Sequence, residues 1–332
     1  MRAAVVGSGG WGTALALSLY RNGHETVLWS HDPAKAVSVQ RTRQNPMLSG
    51  ILLPEEILVT ADPRFISGCK IVVIACPSVH IHSVCRQIAA YLDPDAVMVS
   101  VTKGIEKDTF LRMSQIVSLE SDRPVVALTG PSHAEEVARQ IPTGCLAACA
   151  DKALAELVQD VFMSDSFRIY TSPDIVGAEL GGALKNVIAL CAGTVDGLGY
   201  GDNTLAMLMT RGLTEIARLG VSLGARKETF AGLAGIGDLI VTCTSMHSRN
   251  RRYGVLLGQG MEPHAALAQI GAAVEGYYAA GSAYALAKKC CVDMPIVSAA
   301  YAVLYEAVPA RIVVQELLKR QKRSECEDLG WM

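Results

Sequence analysis

The amino-acid sequence predicts a doubly wound α/β sheet in its N-terminal part, followed by an all-α C-terminal part. Short β-branched runs bounded by turn residues alternate with amphipathic helical segments up to about residue 170. After Ser172-Pro173, long helical patterns rich in Ala, Leu and Gly replace this alternation. A chain of 332 residues is too long for one ordinary core. We therefore expect two domains, at residues 1–172 and 173–332.

Five strands are predicted in the N-terminal domain. Each is a short apolar run of the kind found in parallel sheets that helices cover on both faces. The third ends at Pro77-Ser78, which is a helix-start signal. The charged tail at residues 319–327 is predicted to be solvated or frayed. The five predicted strands are residues 3–6, 26–29, 71–76, 96–101 and 125–129.

Composition excludes several classes of partner. The formal net charge is −2 and no basic block precedes the last few residues, so neither nucleic acid nor an anionic membrane is expected as the main partner. The apolar run after Arg2 stops at Gly7, which is too short for a signal peptide or a membrane span. We therefore expect a cytoplasmic protein without stable membrane insertion.

The ten cysteines are scattered through apolar segments, with no CxxC and no Cys/His metal spacing. Cys290 and Cys291 are adjacent, which suits neither a relaxed disulfide nor a metal pair. Reduced, buried thiols that pack as small hydrophobes are the expected state, and no metal site is predicted.

A glycine motif follows the first predicted strand. Gly7, Gly9 and Gly12 form G-x-G-x-x-G ahead of a helix that runs through Tyr20. Gly7 permits the tight turn, Gly9 lets the backbone approach a pyrophosphate, and Gly12 lets helix and strand pack closely. The pyrophosphate would meet N–H groups at the positive end of the helix. In this context the motif predicts a Rossmann-type dinucleotide-binding domain; a glycine-rich turn without a ligand is the alternative.

The choice of cofactor depends on the end of the second strand, which reads Trp29-Ser30-His31-Asp32. An acidic residue in this region usually binds the ribose hydroxyls of NAD. If the strand ends at Trp29 or Ser30, His31 faces the ribose and tolerates a 2′-phosphate, while Asp32 caps the next helix. If Asp32 points inward, NAD is favoured. The cofactor is therefore predicted to be NADP or NAD, with NADPH slightly favoured.

Six later segments, together with the glycine motif, resemble the bacterial NAD(P)-dependent glycerol-3-phosphate dehydrogenases in order and spacing, from about residue 3 to residue 310. The resemblance implies interconversion of glycerone phosphate and sn-glycerol 3-phosphate, which supplies phospholipid synthesis, and a homodimer. The segments are residues 101–106 (VTKGIE), 130–135 (GPSHAE), 179–187 (ELGGALKNV), 232–239 (GLAGIGDL), 242–244 (TCT) and 248–252 (SRNRR).

The resemblance also implies roles for individual residues. Lys185 corresponds to the family's proton donor and acceptor, which also contacts the substrate, and Lys103 to a lysine shared by substrate and cofactor. The other implied substrate contacts are Gly130, Ser132, Asp238, Ser248, Arg249 and Asn250, of which Arg249 also reaches the cofactor. The other implied nucleotide contacts are Gly10, Trp11, His31, Ala134, Val274 and Glu275.

Two segments depart from the family pattern. Leu205 stands where the family commonly has Lys or Arg, which puts in doubt one charged contact near the substrate entrance. Residues 278–281 (YAAG) replace an Arg-Thr-x-Lys-type stretch, which weakens inference about how the far end of the cofactor is held. Neither departure removes a candidate catalytic residue.

The two lysines also have an interpretation from chemistry alone. Hydride transfer to a ketone leaves an alkoxide, and a lysine with a lowered pKa can polarise the carbonyl and supply the proton. Lys185 follows Gly181-Gly182 in a nearly uncharged helical stretch, whose glycines allow close packing, with the nicotinamide as the expected neighbour. An ion pair with nearby Glu179 is the structural alternative. Lys103 directly follows a strand at the sheet's carboxyl edge, where we expect electrostatic stabilisation; an ordinary surface lysine is the alternative.

Three shorter segments have two interpretations each. Residues 132–135 (SHAE) form a capping box that also offers N–H groups to an anion, with His133 expected to be solvated. Residues 248–252 hold three arginines beside hydroxyl and amide donors, which suits a phosphate; an exposed basic helix start is the alternative. Asp238 either orients Lys185 or a substrate hydroxyl, or is the N-cap of a helix over residues 239–242.

Two rival functions stay open on the sequence. One is a Rossmann dehydrogenase that acts on a hydroxy acid. The segment at residues 248–252, which suits a phosphate, favours the glycerol-3-phosphate dehydrogenase over this rival. The other is a module that senses NAD(P)H without turnover, against which the joint presence of Lys185, Lys103 and Asp238 argues.

Overall fold

The N-terminal part of the molecule is built on one eight-stranded sheet. The computed structural model describes residues 1–322 and 324–325, so the predicted solvated tail lies partly outside the described residues. The strands are β1 Arg2–Val6, β2 Glu25–Trp29, β3 Leu58–Thr60, β4 Ile71–Ile74, β5 Val97–Ser100, β6 Val125–Thr129, β7 Thr143–Ala148 and β8 Phe167–Ser172. The helices between them are α1 Gly10–Arg21, α2 Pro33–Thr42, α3 Ile81–Ala89, α4 Met113–Ser121, α5 Ala134–Ala138 and α6 Lys152–Phe162.

The strand order, β3-β2-β1-β4-β5-β6-β7-β8, is that of a doubly wound sheet. Because β1 lies between β2 and β4, the winding direction reverses there and a crevice opens outside the carboxyl ends of these strands. The predicted fold class is confirmed, and the five predicted strands pair in parallel, whereas β7, which was not predicted, runs antiparallel to β6.

The sequence prediction also missed β3, β7 and β8, each for a physical reason. β3 has only three residues. β7 (TGCLAA) contains glycine and alanines where a strand signal needs β-branched side chains. β8 is an edge strand that exposes Arg168 and Tyr170, so it lacks an apolar run. The predicted strand at residues 71–76 ends two residues earlier, at Ile74.

The rest of the described chain is helical, as predicted. The central helix α7 Ile175–Gly197 is buried along most of its length, with α8, α10, α11 and α13 packed around it. The other helices are α8 Asp202–Ser222, α9 Lys227–Phe230, α10 Asp238–Thr244, α11 Arg249–Gly258, α12 Pro263–Ile270, α13 Glu275–Lys289, α14 Pro295–Tyr305 and α15 Ala310–Leu318, with a π-helical turn at Leu233–Gly237 before α10.

Helix α7 is apolar and long enough, at 23 residues, to cross a membrane. Within the described residues one further candidate is a pair of helical segments, Lys227–Thr244 and Arg249–Gly258, which are bent by 53°. Burial of 83% of the apolar window of α7 inside the protein is typical of the core helix of a globular fold. Its hydrophobicity is therefore accounted for by packing.

The cysteines are only partly as predicted. The nine that lie in the described residues are free thiols, and five of them are buried. Cys291, expected to be buried, is exposed, because it follows the end of α13 with a left-handed backbone conformation (φ 54°).

A buried polar cluster joins α4 to α7. The Glu179 carboxylate of α7 accepts hydrogen bonds from the backbone N–H of Ser114 (2.7 Å) and the Ser114 hydroxyl (2.6 Å), and it pairs with the Arg112 guanidinium. Burial raises the pKa of Glu179, and the Arg112 charge opposes that rise. The alternative in which Glu179 pairs with Lys185 is therefore wrong. Glu179 instead connects the start of α4 to the central helix α7 through these contacts.

We expect Glu179→Ala to lower the free energy of unfolding by about 3 kcal/mol, because it leaves the Arg112 charge unpaired in a largely buried site. Urea titration monitored by circular dichroism measures this. Glu156→Ala is the matched control, since Glu156 pairs with Lys152 on the surface, and about 0.5 kcal/mol or less is expected there. Equal losses in the two variants would contradict a stabilising role for the cluster.

Candidate active site

Two lysines share one buried carboxylate where the sheet meets the helices. Lys185 lies in α7, Lys103 follows β5, and Asp238 is the first residue of α10. Lys103 Nζ is 2.7 Å from Asp238 Oδ2, and Lys185 Nζ pairs with Asp238 Oδ1. Because Gly237 is the N-cap of α10, the N-cap interpretation of Asp238 is wrong. Its carboxylate instead holds both ammonium groups in one cluster.

A threonine that the sequence analysis did not single out completes this cluster. Thr242 Oγ1 accepts a hydrogen bond from Lys185 Nζ at 2.6 Å and donates one to the Asp238 carbonyl, also at 2.6 Å. Thr242 lies four residues after Asp238 on α10, so both side chains point to the same face of that helix. The spacing of four residues from Asp238 was the sequence feature that could have identified Thr242.

The environment of Lys185 changes its acidity. Its side chain is only 7% exposed, and this burial is the main reason that its pKa falls to about 8. The positive charge of Lys103 lowers the pKa further, while the Asp238 carboxylate opposes the fall. An amine with a pKa near 8 exchanges protons in both directions close to neutral pH, which suits a general acid and base.

The loop after β6 reaches the same cluster. Lys103 Nζ donates a hydrogen bond to the Gly130 carbonyl at 3.2 Å, and the Ser132 hydroxyl donates to the same oxygen at 3.0 Å. Gly130 adopts a φ of 145°, which favours glycine. Five of the residues inferred from the sequence, Lys103, Gly130, Ser132, Lys185 and Asp238, are thus brought together although up to 135 positions separate them.

The glycines before Lys185 serve packing against protein. A Cβ on Gly181 would lie 2.4 Å from the Ala234 carbonyl, and one on Gly182 would lie 2.8 Å from Thr129 Oγ1. Both positions therefore face polypeptide in the described structure, and the suggestion that they make room for a nicotinamide is wrong. They let α7 approach β6 and the π-helical turn closely.

His133, expected to be solvated, is instead half-buried at the N-cap position of α5, with its Nε2 buried and without a hydrogen-bond partner among the described residues. Burial, helped by the charge of Lys185, lowers the pKa of His133. The predicted capping box is also wrong, because α5 begins at Ala134 and no side chain caps it. The Ser132 hydroxyl is directed to Gly130.

The glycine loop has the geometry that a pyrophosphate needs. Gly7 has a φ of 126°, and a Cβ on Gly12 would lie 1.9 Å from the Gly7 carbonyl, so the turn and the helix contact both require glycine. Nothing lies within 4 Å of a Cβ built on Gly9. Helix α1 begins at Gly10 without a side-chain cap, which leaves its first N–H groups without a side-chain acceptor. These features fit a bound dinucleotide.

The other nucleotide-site candidates line this crevice or support it. Trp11 packs edge-on against Phe167 with 6.5 Å between ring centroids. Ala134 Cβ lies 3.7 Å from a Cβ built on Gly10, so the starts of α1 and α5 are adjacent. The side chain of Val274 is fully buried in the helical core, so the backbone is the part of this residue that remains for a ligand.

Glu275 spans the crevice between the helices and the sheet. Its carboxylate accepts hydrogen bonds from the Ser78 hydroxyl (2.6 Å) and the Ser78 backbone N–H (3.2 Å). Ser78 follows β4, so this contact joins the start of α13 to the carboxyl edge of the sheet. Burial raises the pKa of Glu275, and the nearby Arg249 charge opposes that rise. Ser78 was not predicted from the sequence as the partner of Glu275.

The ribose end of the crevice carries positive charge and no free acid among the described residues. Asp32 Oδ1 accepts the backbone N–H of Lys35 at 3.1 Å and caps α2, as one sequence alternative predicted, while His31 is exposed. Lys35 Nζ donates to the Ser8 carbonyl at 2.6 Å, and the Ser8 hydroxyl bonds that of Ser30 at 2.8 Å. Lys35 was not predicted from the sequence; its position three residues after the helix-capping aspartate was the available signal.

The basic segment at residues 248–252 begins α11. Ser248 is the N-cap, with its hydroxyl accepting the Arg251 N–H at 3.2 Å. Arg249 is exposed near Glu275, whereas Arg251 turns away to pair with Asp196 at 2.8 Å. The segment is therefore a helix start, and of these two arginines Arg249 is the one beside the crevice.

Both polar atoms of the Asn250 side chain form hydrogen bonds with other residues of the protein. Its Nδ2 donates to Asn186 Oδ1 at 2.9 Å and its Oδ1 accepts the Gly276 N–H at 2.9 Å. Since Asn186 follows Lys185 directly, this amide pair joins the part of α7 that holds Lys185 to the starts of α11 and α13. Asn186 was also not singled out from the sequence.

The two departures from the family pattern are both accommodated by packing. Leu205 is half-buried against the helical core. At Gly281, a Cβ would lie 3.2 Å from the Tyr305 hydroxyl, which donates to the Tyr277 carbonyl at 2.6 Å. An aromatic side chain therefore occupies the space beside position 281.

Comparison with known proteins gives one consistent result. Residues 2–155 match the family model "NAD-dependent glycerol-3-phosphate dehydrogenase N-terminus", and residues 174–315 match the corresponding C-terminus model. The chain is 48% identical to a glycerol-3-phosphate dehydrogenase [NAD(P)+] of Fusobacterium nucleatum, with 98% of this chain and 99% of that protein covered. It is 47% identical to one from Thermoanaerobacter, with 98% and 99% covered. The crystal structure of the glycerol-3-phosphate dehydrogenase from Coxiella burnetii matches with a TM-score of 0.92 at 36% identity, with 96% and 99% covered.

Proposed function

Because the chain belongs to the NAD-dependent glycerol-3-phosphate dehydrogenase family, we propose that it reduces glycerone phosphate to sn-glycerol 3-phosphate and catalyses the reverse oxidation. It is an NAD(P)-dependent oxidoreductase that acts on a CH–OH group, and its product supplies phospholipid synthesis. The observation that carries the assignment is the buried cluster of Lys185, Asp238 and Lys103 beside an open dinucleotide crevice.

Lys185 is the proposed proton donor at the C2 oxygen of the ketone. A dinucleotide held at the glycine loop would supply the hydride for C2. Protonated Lys185 polarises the carbonyl and transfers its proton to the developing alkoxide; in the oxidation, neutral Lys185 accepts the proton from the hydroxyl. Lys103 stabilises the same negative charge electrostatically. Asp238 and Thr242 keep Lys185 oriented.

The start of α11 is the proposed phosphate site, because Arg249 lies beside the crevice and the helix dipole favours an anion there. The exposed guanidinium can bind phosphate bidentately. Gly130 and Ser132 of the loop after β6 are the proposed contacts to the remainder of the substrate, and Ser248 and Asn250 hold the phosphate-binding helix start in place. Ala134, Val274 and Glu275 line the proposed cofactor crevice.

We expect Arg249→Met to lower kcat/KM for glycerone phosphate by about 10- to 100-fold, since a hydrogen-bonded charge pair is lost. Steady-state kinetics with glycerone phosphate and with unphosphorylated glycerone measure the selectivity. The kcat/KM for the unphosphorylated ketone should be unchanged. Arg251→Met is the matched control, because Arg251 pairs with Asp196 outside the crevice. Equal losses on both ketones would contradict the phosphate role.

NADPH is the proposed preferred cofactor, with NADH also accepted. The Asp32 carboxylate is used as a helix cap, so it is not directed at a ribose hydroxyl, and the Lys35 ammonium and exposed His31 offer positive charge or hydrogen bonds to a 2′-phosphate. Burial lowers the pKa of Lys35, and the Asp32 charge opposes that fall.

We expect Lys35→Met to lower kcat/KM for NADPH by about 10-fold or more, with a change of less than about threefold for NADH, since a charged hydrogen bond to the 2′-phosphate is lost. Initial rates with both cofactors at saturating glycerone phosphate provide the ratio. Arg41→Met, at the exposed far end of α2, is the control. A parallel loss with NADPH and NADH would assign Lys35 to the support of the glycine loop.

The experiment that tests the function is oxidation of NADPH and NADH with glycerone phosphate, followed by the loss of reduced-nicotinamide absorbance. Rapid turnover supports the assignment. Equal turnover of unphosphorylated hydroxy or keto acids would favour the hydroxy-acid dehydrogenase. Cofactor binding without turnover of any ketone would favour the sensing module.

The oligomeric state and location are also proposals. We propose a cytoplasmic homodimer without stable membrane insertion or nucleic-acid binding, supported by the burial of α7 and the near-neutral formal charge. Light scattering of the purified chain tests the dimer. The division into domains at residues 1–172 and 173–332 is a further proposal, supported by the end of β8 at Ser172 and the start of α7 at Ile175, and limited proteolysis tests it.

A further inference from the structure

A cavity of about 250 Å³ lies among the C-terminal helices, away from the crevice. It is enclosed by α7, α8, α14 and α15, and its α7 wall includes Leu190 and Thr194. Thr194 is nine residues from Lys185, which places it half a turn around the helix from the catalytic side chain. The cavity and the active site therefore use opposite faces of the same buried helix.

The interior of the cavity is apolar. Apolar side chains from each of the surrounding helices form most of the wall. Examples are Leu190, Leu208, Ile296, Val303, Val314 and Leu317. On one side it is open, since Leu318 and Met207, which also line it, are 61% and 48% exposed. An apolar space with an open side suits a flexible hydrocarbon chain that enters from solvent.

Cationic groups surround the apolar interior. Arg211 and Arg218 lie seven residues apart on α8, hence on one face, and Arg320 follows α15. Arg211 donates to the Glu325 carbonyl at 3.3 Å, while Arg218 and Arg320 both contact Asp293, at 2.6 and 2.8 Å. Guanidinium groups have five donors, so these contacts leave Arg211 with unused N–H groups for an anion.

The acidic residues that line the cavity are engaged by protein. Glu215 accepts hydrogen bonds from the backbone N–H groups of Ile296 and Val297 at the start of α14, at 2.8 to 3.3 Å. Asp293 is paired with Arg320. Three arginines against these two acids leave the described lining with an excess of positive charge, which selects an anionic head group over a cationic one.

We propose that this cavity binds a single-chain aliphatic carboxylate of about ten carbons, with the chain between α7, α8, α14 and α15 and the carboxylate at Arg211. An apolar cavity of about 150 Å³ takes up benzene, so one of about 250 Å³ accommodates roughly eight to ten carbons. A carboxylate is an anionic head group that guanidinium binds bidentately.

Calorimetric titration of the full-length protein with hexanoate, octanoate, decanoate and tetradecanoate, all below their micelle concentrations, tests the proposal. We expect the dissociation constant to fall about fourfold for each added methylene and to level off near decanoate, where the cavity is full. Decyltrimethylammonium, with the same chain and the opposite charge, should bind at least about tenfold more weakly than decanoate.

Two variants locate the site. Ala299→Phe fills the cavity from α14 and should abolish decanoate binding, whereas Ser298→Phe, on the exposed side of the same helix, should not change it. Arg211→Gln should weaken decanoate binding about tenfold. Cooperative thermal unfolding of each variant verifies the fold. Absence of saturable decanoate binding, equal binding of the cation, or binding unchanged in both Ala299→Phe and Arg211→Gln would overturn the proposal, whatever the outcome of the dehydrogenase assays.

Discussion

Replacement of Lys185 by methionine is expected to lower kcat for glycerone phosphate reduction by about 10³-fold, in the range typical for loss of a general acid. Methionine keeps an aliphatic stem in the buried space beside Thr242 but removes the proton. Asp238 retains Lys103 as a charged partner, so the carboxylate is not left unpaired. We therefore expect the variant to fold and to bind NADPH within about threefold of the original affinity, since a buried proton donor contributes little to cofactor binding.

Single-turnover kinetics and fluorescence titration with NADPH separate these two effects. Lys107→Met, an exposed lysine beyond Lys103, is the matched control and should leave both unchanged. Loss of NADPH binding in parallel with turnover would show that Lys185 holds the site together and would remove it from the chemistry.

The pH dependence of the reaction rates follows from Lys185, whose pKa is lowered to about 8. Reduction of the ketone needs the protonated amine, so its rate should fall as the pH rises through about 8. Oxidation of the alcohol needs the neutral amine, so its rate should rise through the same pH. A reduction rate that falls and an oxidation rate that rises through the same pH would indicate that one group acts as the acid in one reaction and as the base in the other.

Asp238→Asn is expected to have the second largest effect, a loss of about 10²-fold in kcat accompanied by a shift of the pH profile. The Asp238 charge raises the pKa of Lys185, whereas burial and Lys103 lower it. Without that charge the pKa of Lys185 falls below 8, so the declining limb of the reduction rate should move to lower pH. Less of the protonated acid is then present at neutral pH.

The pH–rate profile and urea unfolding of Asp238→Asn distinguish a positioning role from a merely structural one. Two partly or wholly buried ammonium groups lose their counter-charge, so the free energy of unfolding should fall by about 3 kcal/mol. Thr242→Val, which removes a neutral partner of Lys185, is the control. In this variant the reduction rate should decline at close to the original pH. A limb that does not move in Asp238→Asn would contradict the assigned control of the Lys185 pKa.

Local sequence signals were sufficient wherever a structural feature depends on neighbouring residues. The G-x-G-x-x-G loop, the strand before it and the helix after it are all present, because steric limits at Gly7 and Gly12 act over a few positions. The helix cap at Asp32 is equally local. A local signal failed at the apparent capping box, where the Ser132 hydroxyl donates to the Gly130 carbonyl and no side chain caps α5.

The fold class, the dinucleotide loop and, through the order of the motifs, the family could therefore be predicted from the sequence. The electrostatics of the site could not, because they depend on contacts between distant segments. Lys185 and Asp238 are 53 positions apart, and Lys103 is 135 positions from Asp238, so no periodicity could show that one carboxylate is shared by both lysines. The pKa of Lys185 depends on burial and on these charges across space, which are properties of the packed molecule and not of any segment.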